Sequence, residues 1–107
     1  MPEISSYEIE LDRNIGTQDI IALHHYCSKS HLNIYLYRDN LIADAGNLPK
    51  LLSFFYFNRK NQPFVMILDG ENVKEGYREI HSLLKEKTIH EELRANHKMT
   101  GDKSVAI

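Results

Sequence analysis

The residues best placed to do chemistry are Asn14-Ile15-Gly16-Thr17-Gln18-Asp19-Ile20-Ile21-Ala22, which follow an alternating strand pattern and open a helix. Such an entrance gathers backbone N–H groups without intrahelical partners and the positive end of a helix dipole, a setting that suits an anion. Gln18 within it is a poor nucleophile for group transfer. The Gln18 amide nitrogen is conjugated to its carbonyl, Ile20 carries no charge, and Asp19 repels an anionic donor. The nearest imidazoles, His24 and His25, come later in the same helix; His24 is about 9 Å from Gln18 along an ideal axis. They read as a half-buried face residue and an exposed one. Their i,i+1 spacing sends them in divergent directions, unlike the i,i+4 spacing that suits a metal pair. His31 reads as a loop residue, and His81, His90 and His97 have no obvious partners. His90 and Glu91 offer at most incidental metal binding, and Glu91-Glu92 reads as a solvated helix face. One cysteine, Cys27, among scattered histidines does not make a nucleophilic dyad. No Gly-rich phosphate loop or dinucleotide fingerprint occurs. No catalytic residue, cofactor or metal site is expected.

The elements that must position this entrance follow from periodicity. Tyr7-Glu8-Ile9-Glu10-Leu11-Asp12 alternates, a half-buried strand with Tyr7, Ile9 and Leu11 inward. Asn14 or Thr17 can cap the next helix, whose Ile20, Leu23, His24 and Cys27 share a face with Ile21 beside them. Leu32 to Tyr37 alternates again with Leu32, Ile34 and Leu36 together; Arg38-Asp39-Asn40 is turn chemistry, and Leu41-Ile42-Ala43-Asp44 returns, so residues 32–45 read as a hairpin. Asn47 stands at a helix cap, with Pro49 tolerated near the start. Leu48 to Phe57 reads as a short helix running into an irregular aromatic stretch. Asn58 to Pro63 is a polar loop, and Phe64-Val65-Met66-Ile67-Leu68 a central strand. A final helix opens at Glu71 or Asn72 with Val73, Tyr77, Ile80, Leu83 and Leu84 on one stripe; Gly76 within it costs roughly 1 kcal/mol against alanine. Residues 88–107 read as a frayed helical extension and a mobile end. The domains are therefore 1–87 and an extension, 88–107.

The order strand, helix, strand, strand, short helix, strand, long helix resembles that of HPr, the histidine phosphocarrier family of the bacterial sugar phosphotransferase system, across about residues 6–86. Where that family reads Gly-Leu-His-Ala-Arg-Pro-Ala, this chain reads Gly16-Thr17-Gln18-Asp19-Ile20-Ile21-Ala22. The Gly70-Glu71-Asn72 junction is similar to the family's entry to its last helix. The resemblance implies an α+β open-faced sandwich, a four-stranded antiparallel sheet with helices on one face, plus the C-terminal extension. It also implies a degenerate active site. The phosphorylated histidine is replaced by Gln18, the assisting arginine by Ile20, and the regulatory serine of many Gram-positive members by Asn47, which lacks a hydroxyl. The expected function is a non-catalytic binding or regulatory module, not an enzyme. The alternatives are a phosphocarrier using another residue, or an unrelated small α+β domain binding a metabolite.

HPr proteins meet their protein partners through the first-helix entrance and an apolar patch on the short second helix. By position, Leu48, Pro49 and Leu52 carry this over. All four phenylalanines lie between residues 54 and 64, and on a helix Leu48, Leu51, Leu52 and Phe55 share a side, with Phe54 and Tyr56 pointing elsewhere. The residue 48–57 region either completes a small core or forms a surface for a protein partner or a homodimer. A chain of 107 residues favours one domain. Its formal net charge of -2 gives no electrostatic case for nucleic acid or an anionic membrane as partner. No apolar run is long enough to span a bilayer, no secretory leader pattern opens the chain, and a single cysteine excludes an internal disulfide. A reducing cytoplasm is the expected location.

Overall fold

The computed structural model describes residues 2–11, 15–56, 63–84 and 88–98. The Leu11 side chain, Asn14, Phe57, the Asn58–Gln62 loop, the side chains of Ile89, His90, Glu91 and His97, and residues 99–107 lie outside the described set. The fold is α+β. In chain order it runs β1 (Glu3–Leu11), α1 (Thr17–Ser30), β2 (Asn33–Arg38), β3 (Leu41–Asp44), α2 (Leu48–Tyr56), β4 (Phe64–Gly70), α3 (Val73–Leu84) and β5 (Thr88–Lys98). One antiparallel sheet holds all five strands in the order β3-β2-β4-β1-β5. Period-2 alternation drives this arrangement. Tyr7 and Ile9 of β1, Ile34 and Leu36 of β2, and Phe64, Met66 and Leu68 of β4 are buried toward the helices. Tyr35, Val65 and Ile67, on the other face, are only half-buried. The apolar strand β4 lies at the centre of the sheet, as its composition requires.

The helices supply the other half of the core. Ile20, Leu23 and Cys27 of α1, Leu51, Phe54 and Phe55 of α2, and Val73, Ile80 and Leu84 of α3 are buried. Tyr77 is half-buried and stacks on Tyr7, with ring centroids 3.6 Å apart and planes inclined by 7°. Leu83, expected on the α3 stripe, is exposed, because the stripe centres on Ile80 and Leu84. Gly16, not Asn14 or Thr17, occupies the α1 N-cap position. Its extended backbone lets its carbonyl accept from Asp19 N and Ile20 N at 3.0 and 3.1 Å.

Two expectations are corrected. The sheet has five strands, not four, and residues 88–98 form a strand, not a helix. Ile89 and Leu93 stand four apart, which imitates helical spacing, but a helix so rich in charge has little apolar surface to bury. Pairing with β1 instead satisfies the backbone groups of an otherwise bare sheet edge. The ladder runs from Glu3↔Lys98 to Leu11↔Thr88, with irregularities at Ser6/Tyr7 and Glu10/Leu11. Asn96 clamps it: its side-chain amide donates to Glu3 Oε2 at 3.0 Å and to the buried Ser5 hydroxyl. The extension therefore begins as part of the domain's own sheet.

Candidate functional site

The α1 entrance and the C-terminal end of α2 meet around a cavity of about 450 Å³, lined by Ile15, Gly16, Thr17, Ile20, Leu52, Phe55 and Tyr56. Gly16 and Thr17 are exposed there, while Ile20 is buried and forms part of the wall. Tyr56 is 85% exposed at the rim. The lining is apolar apart from the entrance backbone, the Thr17 hydroxyl and the Tyr56 phenol, and no imidazole belongs to it. Gln18 is exposed on the first turn of α1 and does not line the cavity. The site can seat apolar side chains against a helix start.

Asn47 lies elsewhere. Its side-chain oxygen accepts from Lys50 N at 3.2 Å and its carbonyl from Leu51 N at 3.0 Å, so it is the N-cap of α2. Phe55 and Tyr56 sit at the opposite end of that helix, about 12 Å away along an ideal axis. Of these three positions only Ile20 lines the cavity; Gln18 lies outside it on the first turn of α1, and Asn47 marks the far end of the helix that closes it.

The α2 surface is narrower than expected. Leu51 and Phe55, candidate partner residues, are buried, and of the two only Phe55 lines the cavity. The inward stripe is 51–54–55, rotated from 48–51–52–55, because Phe54 packs under the sheet instead of pointing away. Phe54, Phe55 and Phe64 meet edge to face with centroids 5.5–5.7 Å apart, which places the aromatic run in the core. Leu48 and Leu52 are half-buried flanks and remain accessible, with Tyr56 beside them.

A contact with no local signal in the sequence fixes this end of α2. Arg38, read as a turn residue, is the last residue of β2 and is 5% exposed. Its guanidinium lies 4.6 Å from the Phe54 ring centroid, and Nη1 donates to the Phe54 carbonyl at 3.5 Å. That carbonyl is among the last four of α2, a helix with no basic residue in its own last turn. Arg38 therefore brings positive charge from the sheet to the negative end of the helix dipole. Burial lowers the Arg38 pKa, and Asp39 opposes the shift.

None of the other titratable candidates lines this cavity. His24 Nδ1 lies 2.9 Å from the Ala45 carbonyl, which fixes Nδ1 as the protonated nitrogen and ties α1 to the end of the β2–β3 hairpin. His25 and His31 are exposed, the latter in left-handed backbone at the α1 C-cap. The buried Cys27 thiol donates to the Leu32 carbonyl at 3.4 Å, and burial raises its pKa, so it stays a neutral thiol. Among the described residues no three His, Cys, Asp or Glu side chains converge on a metal position, and no helix is long and apolar enough to cross a membrane. No protein-family model, curated protein or solved structure matches the chain.

Proposed function

We propose that this chain is an HPr-like, open-faced α+β module that has lost phosphoryl transfer and binds a protein partner through the α1 entrance and the flank of α2. The element order from β1 to α3 supports the likeness. The observation that carries the function is the cavity uniting Gly16 and Thr17 with Leu52 and Tyr56: an accessible apolar seat at a helix start, with isoleucine and no imidazole in its wall. A phosphocarrier needs a neutral imidazole nitrogen at the entrance and positive charge around the transferring oxygens. Here Gln18 and Ile20 provide neither, and Asp19 adds negative charge. His24 is a poor substitute, since one of its nitrogens is committed to Ala45. The partner is expected in the cytoplasm, and neither nucleic acid nor membrane is expected as a ligand.

Two measurements test this. Incubation with phosphoenolpyruvate, Enzyme I and magnesium is expected to leave the intact mass unchanged; an acid-labile phosphoryl adduct lost on His24→Ala or His25→Ala would overturn the non-catalytic reading. A photo-cross-linking residue at position 56 is expected to capture a discrete protein in cells, with the adduct lost on Leu52→Asp while circular dichroism is unchanged. Equal capture by that variant would remove the α2 flank from the interface.

A further inference from the structure

We infer that the β3 edge is a self-pairing surface, through which a second copy of this chain adds its own β3 antiparallel and joins two five-stranded sheets into one. The two edges of the sheet differ in kind. The β5 edge is long, irregular in register, and carries His90, Glu91, Glu92, Arg94, His97 and Lys98 in sequence, features that discourage strand addition. The β3 edge is Leu41-Ile42-Ala43-Asp44, with Leu41 45% and Ile42 63% exposed.

Backbone geometry selects the register. The hairpin loop has two residues between the paired Arg38 and Leu41, and Ala45 N donates to Ile34 O at 2.8 Å. In an antiparallel ladder hydrogen-bonded pairs alternate, so residues 41, 43 and 45 turn their polar backbone groups toward β2. The N–H and C=O of Ile42 then turn outward, where the described sheet has no further strand. A two-fold axis normal to the sheet at Ile42 lets the two copies exchange both hydrogen bonds at that residue.

Side chains agree with this register and disfavour its neighbour. Centred on Ile42, the pairing sets isoleucine against isoleucine on the open face. On the helix side it sets Leu41 against Ala43 of the other copy, large against small. A groove of about 260 Å³, with Ala43, Ser53 and Phe54 in its lining, opens there to receive the incoming leucine. Asp44 falls opposite Asn40, so no like charges face each other, and its carboxylate is held by Gly46 N at 2.8 Å within its own chain. Centring on Ala43 instead would set Asp44 against Ile42. The surface is small against the roughly 1,200–2,000 Å² of a stable complex, which predicts a weak dimer with a Kd of about 0.1–1 mM.

Sedimentation equilibrium on the full chain across that range tests the inference. Wild type is expected to show a monomer–dimer equilibrium. Ile42→Glu and Ile42→Lys each place like charges face to face on the axis, and each is expected to weaken association at least ~10-fold. An equimolar mixture of the two variants is expected to dimerise again, a recovery that unfolded proteins would not show. A monomeric wild type at ~1 mM, a dimer indifferent to Ile42→Glu, or a mixture that stays monomeric would each overturn the inference.

Discussion

Gly76→Ala sets two opposing effects against each other, and the structure decides the sign. By helix propensity alone the change stabilises α3 by about 1 kcal/mol. A Cβ at this position, however, would overlap Leu32 Cδ1 and reach 3.5 Å from both Leu68 Cδ2 and Tyr26 Oη. A flexible leucine could ordinarily turn aside. Leu32 cannot, because it is buried and its other methyl, Cδ2, would lie 2.8 Å from a Cβ at Gly70 on its far side. Both methyls are pinned between two glycines, so the overlap must be relieved by lifting α3 or by forcing Leu32 off its rotamer. Overpacking of this kind costs about 1–3 kcal/mol, and the pinned leucine places it in the upper half of that range. The expected net loss is therefore about 1–2 kcal/mol, measured as a lower urea midpoint at unchanged m-value. A double-mutant cycle sharpens the test: Leu32→Ala should cost about 2–3 kcal/mol less in the Gly76→Ala background than in wild type, because there it also relieves the whole of the overpacking, a clash that wild type does not contain. A stabilised Gly76→Ala, or zero coupling to Leu32, would refute the packing argument and leave propensity in command.

Arg38→Ala removes the guanidinium from the Phe54 ring and from the Phe54 carbonyl; the expected loss is about 2 kcal/mol by urea denaturation, with Arg38→Lys recovering only part, since an ammonium keeps the charge but not the planar contact. Amide exchange at the end of α2 should rise in both variants, and unchanged protection there would count against the capping role. If the proposed HPr-like reading holds, Gln18→His alone should not give phosphoryl transfer from Enzyme I at the rates of HPr proteins, because Ile20 and Asp19 remain unfavourable to the transferring group; rapid phosphorylation of that single variant would overturn this.

Much of the fold is legible because burial imposes a period. Alternation marks β1, β2 and β4, whose Tyr7, Ile34, Leu36 and Met66 all turn inward, and the Asn47 cap follows from a short polar side chain before an apolar run. Where no face is strongly buried, the signal fades. In β5 the described Glu92, Leu93 and Arg94 are all exposed, so no alternation distinguishes strand from helix, and only the bare edge of β1 decides. Arg38 misleads for the opposite reason. Beside a turn a charge normally meets solvent, and nothing local announces that an aromatic ring sixteen residues later will cover it. The site itself was half legible. Gln18, Ile20 and the entrance stand out in one dimension, whereas the enclosure of Phe54 and Phe55, which leaves Leu48, Leu52 and Tyr56 accessible beside the exposed Pro49, Lys50 and Ser53, depends on how α2 rolls against Phe64.

Ile20 connects stability to the proposed loss of catalysis. In a transferring site this position calls for a cation reaching the entrance, but here its side chain is buried beside Leu52 and Phe55 as wall of the cavity. Burying an isoleucine contributes about 1.5–3 kcal/mol, whereas a guanidinium in the same wall would have to be desolvated or pushed outward along its stem. The apolar residue thus closes the core and leaves an apolar seat at the entrance, where the proposed likeness would otherwise call for positive charge. A cation at this position would be accommodated only by opening the packing between α1 and α2. A scaffold arranged in this way is better suited to presenting a fixed surface than to cycling a phosphoryl group. The exposed Tyr56 at the rim gives that surface an aromatic anchor of the sort that concentrates binding energy in protein interfaces.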